Sequence, residues 1–444
     1  MSSLVESVKD AGIVGAGGAG FPTHIKLDTK VEYVIVNCAE CEPLLRVDQQ
    51  LAEAYAPEIA ETLELVVRET GAEKGIIAIK KKHKEAIRKL ESALGNSARL
   101  ELFLLDDFYP AGDELVTVYE ALKRIVPEGG IPFEVKTVVV NTETLLNIYH
   151  ALSKTPVTEK YVTVTGAVRN PVTLKAPVGA DVGLLIEAAG GATVDEFTII
   201  DGGPMMGKIL AENRGFVKKT TKGLVVLPAD HPLITAKNKS LDTMLRESRS
   251  ACCQCMLCTE VCPRNLLGHR LHPHKLMRLT QYGTLADNSS SMQEAFLCCE
   301  CGLCEMACIM GLQPWKLNQA LKRKMSAAGI KNPYHNQPEK PVPFREYRKF
   351  PVKRLIQRLG LGKYDVSAPL DESIEVKLKE ATIEWKQHLG APAEPVVAPG
   401  DKVAKGQIVG RMPDGKTGAD VHSSISGTVV SVTKEAVTIA SDAR

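Results

Sequence analysis

The sequence predicts a multidomain α/β protein with a cysteine-rich redox module inserted late and a small β domain at its end. Three observations predict it. Residues 1–150 alternate helical patterns with apolar strand-like runs, the pattern of a layered, largely parallel sheet. Ten of the twelve cysteines fall in two short blocks of one layout. From about residue 375 onward, short strands are punctuated by turn dipeptides. A length of 444 residues suggests about three domains.

In the first part, an amphipathic stretch with Leu4, Val5 and Val8 leads into a glycine loop. Strands are expected at Val31 to Val36, Gly75 to Ile79 and Val135 to Val140. A long helix is expected from about Leu51 to Thr70, and a charged one from Lys82 to Leu94. The next module opens with the alternating run Tyr161 to Gly166. It continues through a turn at Asn170-Pro171 to a helix from Val182 to Ala189, which stops at Gly190-Gly191. Residues 316–363 carry thirteen Lys and Arg against two acids, Glu339 and Glu346, with prolines at 333, 338, 341, 343 and 351. That segment reads as an irregular, solvated basic linker, with a docking surface as the alternative. The turns Pro399-Gly400-Asp401, Asp414-Gly415 and Ser426-Gly427 mark the corners of a small terminal sandwich.

The cysteine blocks carry the chemistry. Cys252, Cys255, Cys258 and Cys262 form one C-x2-C-x2-C-x3-C run, and Cys298, Cys301, Cys304 and Cys308 form another. They align with a shift of 46, as the halves of a duplicated ferredoxin do. Such a run presents three thiolates to a [4Fe–4S] cubane and sends its fourth to the other cluster. One cluster then takes Cys252, Cys255, Cys258 and Cys308, and the other takes Cys298, Cys301, Cys304 and Cys262. Zinc usually asks for separated C-x2-C pairs, and a disulfide framework would not crowd eight thiols into two local runs. Cys253 and Cys299 are read as spectators. Pro263 follows Cys262 as the bacterial pattern asks, whereas Ile309 follows Cys308.

Gly15-Ala16-Gly17-Gly18-Ala19-Gly20 satisfies G-x-G-x-x-G, with Glu40 about twenty residues on. A dinucleotide fold would place this loop between a strand and a helix. Here a polar helix-like segment precedes it and Phe21-Pro22-Thr23 follows. The longer strings GAGGAGFPTHIK (Gly15 to Lys26) and NCAECEP (Asn37 to Pro43) instead resemble the flavin- and NADH-binding subunit of respiratory complex I. Tyr109-Pro110-Ala111-Gly112-Asp113-Glu114 and Asn141-Thr142-Glu143-Thr144 are similar to two further motifs of that family, in the same order. The resemblance implies FMN held by Gly15, Gly17, Gly18, Gly20, Lys26, Asn37, Glu40, Tyr109, Gly112, Asp113, Asn141 and Thr144. It implies NADH as substrate, with Phe21 stacking near its adenine and Glu42 and Glu114 at its ribose. The physics agrees: glycines let backbone N–H groups close on a phosphate, and asparagines hydrogen-bond polar ring or ribitol atoms. Ala16, Thr29, Ala39 and Asp113 depart from that family's residues.

The order of modules is similar to that of the RnfC component of the Rnf complex. Placing the sandwich piece last, at His388 to Val397 and Val421 to Gly427, resembles the cobalamin reductases of propanediol utilisation. The fold this implies has five parts. They are a complex I flavin-subunit-like α/β domain (1–155), an SLBB β-grasp-like module (156–240), a two-cluster ferredoxin-like insert (245–320), the basic linker (321–375) and a barrel-sandwich hybrid (376–444). The implied function is an NAD(P)H-oxidising iron–sulfur flavoprotein passing electrons to a corrinoid or a partner oxidoreductase. A non-catalytic wiring component of a larger redox complex is the competing class.

A net charge of +2 argues against a nucleic-acid partner. No apolar run approaches the ~18 residues of a membrane span. The start of the chain lacks a basic and then apolar leader, and clustered thiols point to a reducing compartment, so a cytoplasmic setting is expected. His269, His272 and His274 match no metal spacing and are expected in packing roles. Cys38 and Cys41 are expected in the flavin-contact loop.

Overall fold

A computed structural model describes residues 3–279 and 290–442. The first domain is built on strands β1 (Tyr33–Cys38), β2 (Lys74–Lys80) and β3 (Leu100–Leu105). A short β4 (Phe108–Tyr109) and then β5 (Thr137–Asn141) follow. The main sheet has the order β3-β2-β1-β5, and every pair in it is parallel. Apolar residues run continuously along β1 because both faces are covered. Val34 and Val36 pack with Leu63 and Val67 of the helix Ala56–Thr70. Ile35 points to the other face, with Val116 and Val139.

The expected helix from Leu51 to Thr70 is two helices, Val47–Ala54 and Ala56–Thr70, broken at Tyr55 with Pro57 in the first turn of the second. β3 is a fourth strand that the sequence did not announce, because it lies at the sheet edge with Leu100 and Leu102 only part-buried.

This topology has one switch point. From β1 the chain steps outward to β2 and β3, then returns to lay β5 on the other side of β1. In open parallel sheets, ligands bind in the crevice beyond the carboxyl ends of the strands at such a point. Asn37 and Asn141 are register partners there, at the ends of β1 and β5.

The second module holds β6 (Glu159–Gly166), β7 (Val172–Pro177), β8 (Phe197–Asp201), β9 (Lys208–Ile209) and β10 (Gly223–Pro228) in the order β7-β6-β10-β8-β9. Its helix Val182–Ala188 buries Val182, Leu185 and Ile186 in the same core.

The segment expected to be an irregular, solvated linker is ordered and packed. Pro314–Ala327 is a helix that buries Leu317, Leu321 and Met325 beside the cysteine loops. A further strand, β11 (Phe350–Pro351), pairs antiparallel with β4 of the first domain. Next, Val352–Arg358 forms a helix burying Val352, Leu355 and Ile356. Several of the basic side chains are used internally. Arg345 meets buried Glu120 at 2.6 Å, Arg348 meets Glu260 at 2.7 Å, and Lys349 meets both Glu120 and Glu346. Charge density suggests solvation, but the apolar spacing Val352, Leu355, Ile356 is the signal that matters.

The terminal domain has two small sheets. One contains β12 (Glu380–Glu384), β14 (Lys402–Val403), β17 (Gly427–Val432) and β18 (Ala436–Ser441). The other contains β13 (Glu394–Pro395), β15 (Ile408–Arg411) and β16 (Val421–His422). They close around buried Trp385, Val409 and Val421.

Candidate functional site

The crevice at the switch point gathers most of the expected flavin residues. The glycine loop is a closed hairpin: Gly15 N donates to Phe21 O, and Gly20 N to Gly15 O. Ala16 N donates to Thr144 Oγ1 at 2.9 Å, which ties the loop to the helix Thr142–Leu152 after β5. Gly17 faces Asn141, whose side-chain atoms would lie 3.5 Å from a Cβ at that position. Gly18 has φ +112° with open space around it, so only glycine keeps this wall low. Gly112 carries Asn37 on its carbonyl at 2.8 Å, and a Cβ there would crowd Cys41 and Ala39.

Beneath these lies a buried ionic floor. Lys222, from the second module, meets Glu40 at 3.2 Å and also bonds Asp48. Burial pushes Glu40 up, against the pull of Lys222. Burial alone would lower Lys222, but Asp48 and Glu40 hold it above its ordinary value. Asp48 in turn accepts from Asn141 Nδ2 at 2.9 Å. The donors and the glycine-lined opening fit a phosphate-bearing planar cofactor such as FMN. Lys222 is neutralised by Glu40 and Asp48, so it fixes the floor and leaves the phosphate to the backbone N–H groups of the glycine loop.

Five expected residues are held elsewhere: Lys26 and Glu114 by each other, Asp113 by Arg264 and the helix it caps, and Glu42 and Tyr109 by other modules. Lys26 is paired with Glu114 at 2.8 Å and donates to Val139 O, with its ammonium 5.7 Å from the Phe21 ring centre. Glu42 turns toward the second module, accepting from Met205 N at 2.9 Å and Met206 N at 3.0 Å. Burial pushes its carboxyl up to about 7, while those amides pull it down. Tyr109 is buried away from the crevice, against the cysteine loops.

The two cysteine loops repeat in backbone as they do in sequence. Gln254 and Glu300 have φ of 55° and 58°, and Met256 and Gly302 have 66° and 77°. Left-handed non-glycine residues are uncommon, and their recurrence at equivalent positions marks a shared task. Gln254 Nε2 donates to Cys252 Sγ, and Glu300 N donates to Cys298 Sγ. The electrostatic neighbours of Cys258 are Cys308, Cys255 and Cys252, which is the crossed grouping. Cys262, Cys298, Cys301 and Cys304 line one cavity together. Asn318 lines it as well, buried, with no nitrogen or oxygen partner for its amide. Its amide instead faces the Cys298 thiol, the place of a donor to a cluster-ligating sulfur. The residues fit a [4Fe–4S] group.

The flavin domain grips the second loop directly. The Tyr109 hydroxyl donates to Cys301 O at 2.7 Å. Arg264, two residues after Cys262, makes a forked pair with Asp113 at 2.7 and 2.8 Å. Asp113 also caps the helix Glu114–Leu122 by accepting from Leu115 N and Val116 N. Burial would raise its carboxyl, but Arg264 holds it below the usual range. Lys322 braces the same loop through Cys298 O and Glu300.

At the other end of the glycine loop, Gly20 O accepts from Leu389 N of the terminal domain. Lys219 Nζ donates to Gly12 O at 2.7 Å and to Asp420 O at 2.8 Å. Sequence reasoning missed Asp48, Lys222 and Arg264, because each acts through space on a partner far along the chain, and Asn318, which the fold turns into the cysteine cavity. The three histidines take packing roles: His269 bonds Val126 O, His272 bonds Glu294 and His274 bonds Thr259.

Comparison with known proteins defines the class. The Nuo51 FMN-binding domain matches residues 8–150, and the SLBB domain matches 161–208. A 4Fe-4S dicluster domain matches 251–313, and the RnfC barrel sandwich hybrid domain matches 371–444. The protein is an electron-transferring oxidoreductase of the flavin and iron–sulfur class. The chain is 43% identical to the cobalamin reductase PduS of Salmonella typhimurium over 437 residues, 98% of this chain and 95% of the relative. It is 35% identical to the RnfC-type component of the Na(+)-translocating ferredoxin:NAD(+) oxidoreductase complex of Acetobacterium woodii, over 60% of this chain and 58% of that one. The chain therefore belongs to the family of PduS, to which the RnfC-type components of ion-translocating complexes are related. A solved NAD+-reducing [NiFe]-hydrogenase aligns with a TM-score of 0.48 and 20% identity, covering 76% of this chain and 68% of that one. Among the described residues no helix is long and apolar enough to cross a membrane.

Proposed function

We propose that the protein oxidises NADH at the switch-point crevice and sends the electrons through two [4Fe–4S] sets to a corrinoid. The observation that carries this reading is one short segment, Tyr109 to Asp113, that meets the crevice at one point and the cysteine loops at two: Gly112 O holds Asn37, while Tyr109 holds Cys301 O and Asp113 holds Arg264. Within it, Gly15, Gly17, Gly18 and Gly20 shape the phosphate loop, while Asn37 and Asn141 orient polar ring and ribitol atoms. Lys222 ties Glu40 and Asp48 together and so fixes the floor of the crevice. FMN, when bound, converts a two-electron hydride into single electrons. The chain's own part is to orient the partners and to set the electrostatics around them.

The corrinoid comes from the likeness to PduS over nearly the whole length of both chains. A protein acceptor is the second reading. It is favoured by exposed Met256, Ile309 and Met310 around the first loop.

The test is an anaerobic NADH titration of the reconstituted protein, followed by cob(II)alamin. NADH should bleach the flavin and fill the clusters, and the corrinoid should then be reduced. Gly18→Val should lose flavin, since a branched Cβ would enter the open wall at a positive φ. A flavin that NADH does not bleach would overturn the donor. A bleached flavin with no corrinoid reduction would favour the protein acceptor.

A further inference from the structure

We infer that the second cysteine set receives electrons from the flavin crevice, that the first set delivers them, and that Tyr109, Asp113 and Arg264 are the positioning residues that fix this order. This rests on the function proposed above.

Three independent observations converge on it. The flavin domain holds the second set at one ligand residue and at a residue two positions beyond another. Tyr109 grips the carbonyl of Cys301, and Asp113 grips Arg264 beside Cys262. Among the described hydrogen bonds and ion pairs, no first-domain residue grips Cys252, Cys255, Cys258 or Cys308 in this way. The sets also differ in burial. In the second set Cys262, Cys301 and Cys304 are buried and Cys298 is part-exposed, whereas in the first Cys255 is exposed and Cys252, Cys258 and Cys308 are part-exposed. Finally, the side chains flanking the first set are apolar and open: Ile309 is 63% exposed and Met310 48%. Electron-transfer rates fall steeply with the gap between carriers. A set pinned to the donor domain is therefore placed to receive, and a set that meets solvent is placed to deliver. The path between them is short, since the helices Leu257–Glu260 and Leu303–Ala307, which carry Cys258 and Cys304, pack on each other. The count balances: the nicotinamide donor gives two electrons and releases one proton to solvent, and each set takes one electron.

Asp113 has a double duty. One carboxylate caps the helix Glu114–Leu122 and receives the guanidinium fork from the cluster module. Any shift of the flavin motif is therefore passed to the second loop through a planar, two-bond contact.

The experiment uses two full-length variants reconstituted anaerobically. Cys301→Ser with Cys304→Ser removes the second set, and Cys255→Ser with Cys258→Ser removes the first. Flavin is reduced once by NADH and once by light with a sacrificial donor. Electron paramagnetic resonance then reports which set fills. Without the first set, the second should still fill from flavin, while the external acceptor stays oxidised. Without the second set, the first should fill from dithionite but lose its filling from flavin on the wild-type timescale, because the nearer carrier is gone. Filling of the first set from flavin at the wild-type rate in that protein overturns the inference. If the order holds under light while NADH fails to reduce flavin, the donor assignment falls and the order stands. Should the double variant not fold, Tyr109→Phe decides. It should slow flavin-to-cluster transfer about tenfold to a hundredfold with iron content retained, and an unchanged rate overturns the role of the junction.

Discussion

Met256 and Gly302 hold the same place in the two cysteine loops, with φ of 66° and 77°. Met256 lies 44% exposed, while Gly302 has the methyl of Met205 packed over it, 3.2 Å from where a Cβ would stand. The ligand spacing, the left-handed residues and the bonds to the first sulfur of each loop repeat. The surroundings do not. A duplicated motif therefore sets what each loop can bind, and the domains pressed on it set how that group is used.

The largest expected break in this comparison is at Arg264. Replacing it with Met leaves the buried carboxylate of Asp113 without its partner, at a cost of about 3 kcal/mol. The equivalent position after Cys308 is Met310, and Met310→Ala should change stability by less than about 0.5 kcal/mol. Anaerobic denaturant unfolding of the two variants measures both. Equal losses would mean that the junction does not distinguish the loops.

A smaller effect should appear with pH. Glu42 holds the turn carrying Met205 against the second loop, and burial raises its carboxyl to about 7. A carboxyl raised in the folded state gives stability that is complete below the unfolded value near 4.3 and is lost as pH rises through 7. Thermal midpoints should therefore fall between about pH 5 and 8, by the equivalent of about 1–3 kcal/mol. Glu42→Gln should flatten that slope. A slope unchanged in the variant would assign the pH dependence elsewhere.

The smallest effect sharpens the contrast without mutation. A hydrophilic iron chelator should strip the first set about tenfold faster than the second, because the exposed loop opens more cheaply than the buried one. Resonance signals of the two sets, followed through the reaction, give the two rates.

Much of this site was legible because its signals are local. The cysteine spacing, the glycine hairpin at Gly15 to Gly20 and the motifs around Asn37 and Asn141 each lie within a dozen residues. The crevice itself was not legible, since it depends on β5 returning beside β1 across a hundred residues. Lys222 and Arg264 were missed for the same reason: their partners Asp48 and Asp113 lie 174 and 151 residues away. The basic segment was misjudged on different grounds. Its prolines and charges look solvated in isolation, yet Pro351 sits at a sheet edge, where a missing N–H is tolerated, and Arg345 finds buried Glu120.

The clasp at Lys219 has an evolutionary consequence. It joins Gly12, near the start of the chain, to Asp420, near its end, and Leu389 reaches Gly20 close by. The terminal domain is thus docked on the opening residues of the first. A domain that docks there can be encoded at either end of a gene with no change of address in the folded protein. Rearrangement by permutation then requires only a new connecting peptide, and the architecture survives a shuffled order of its parts.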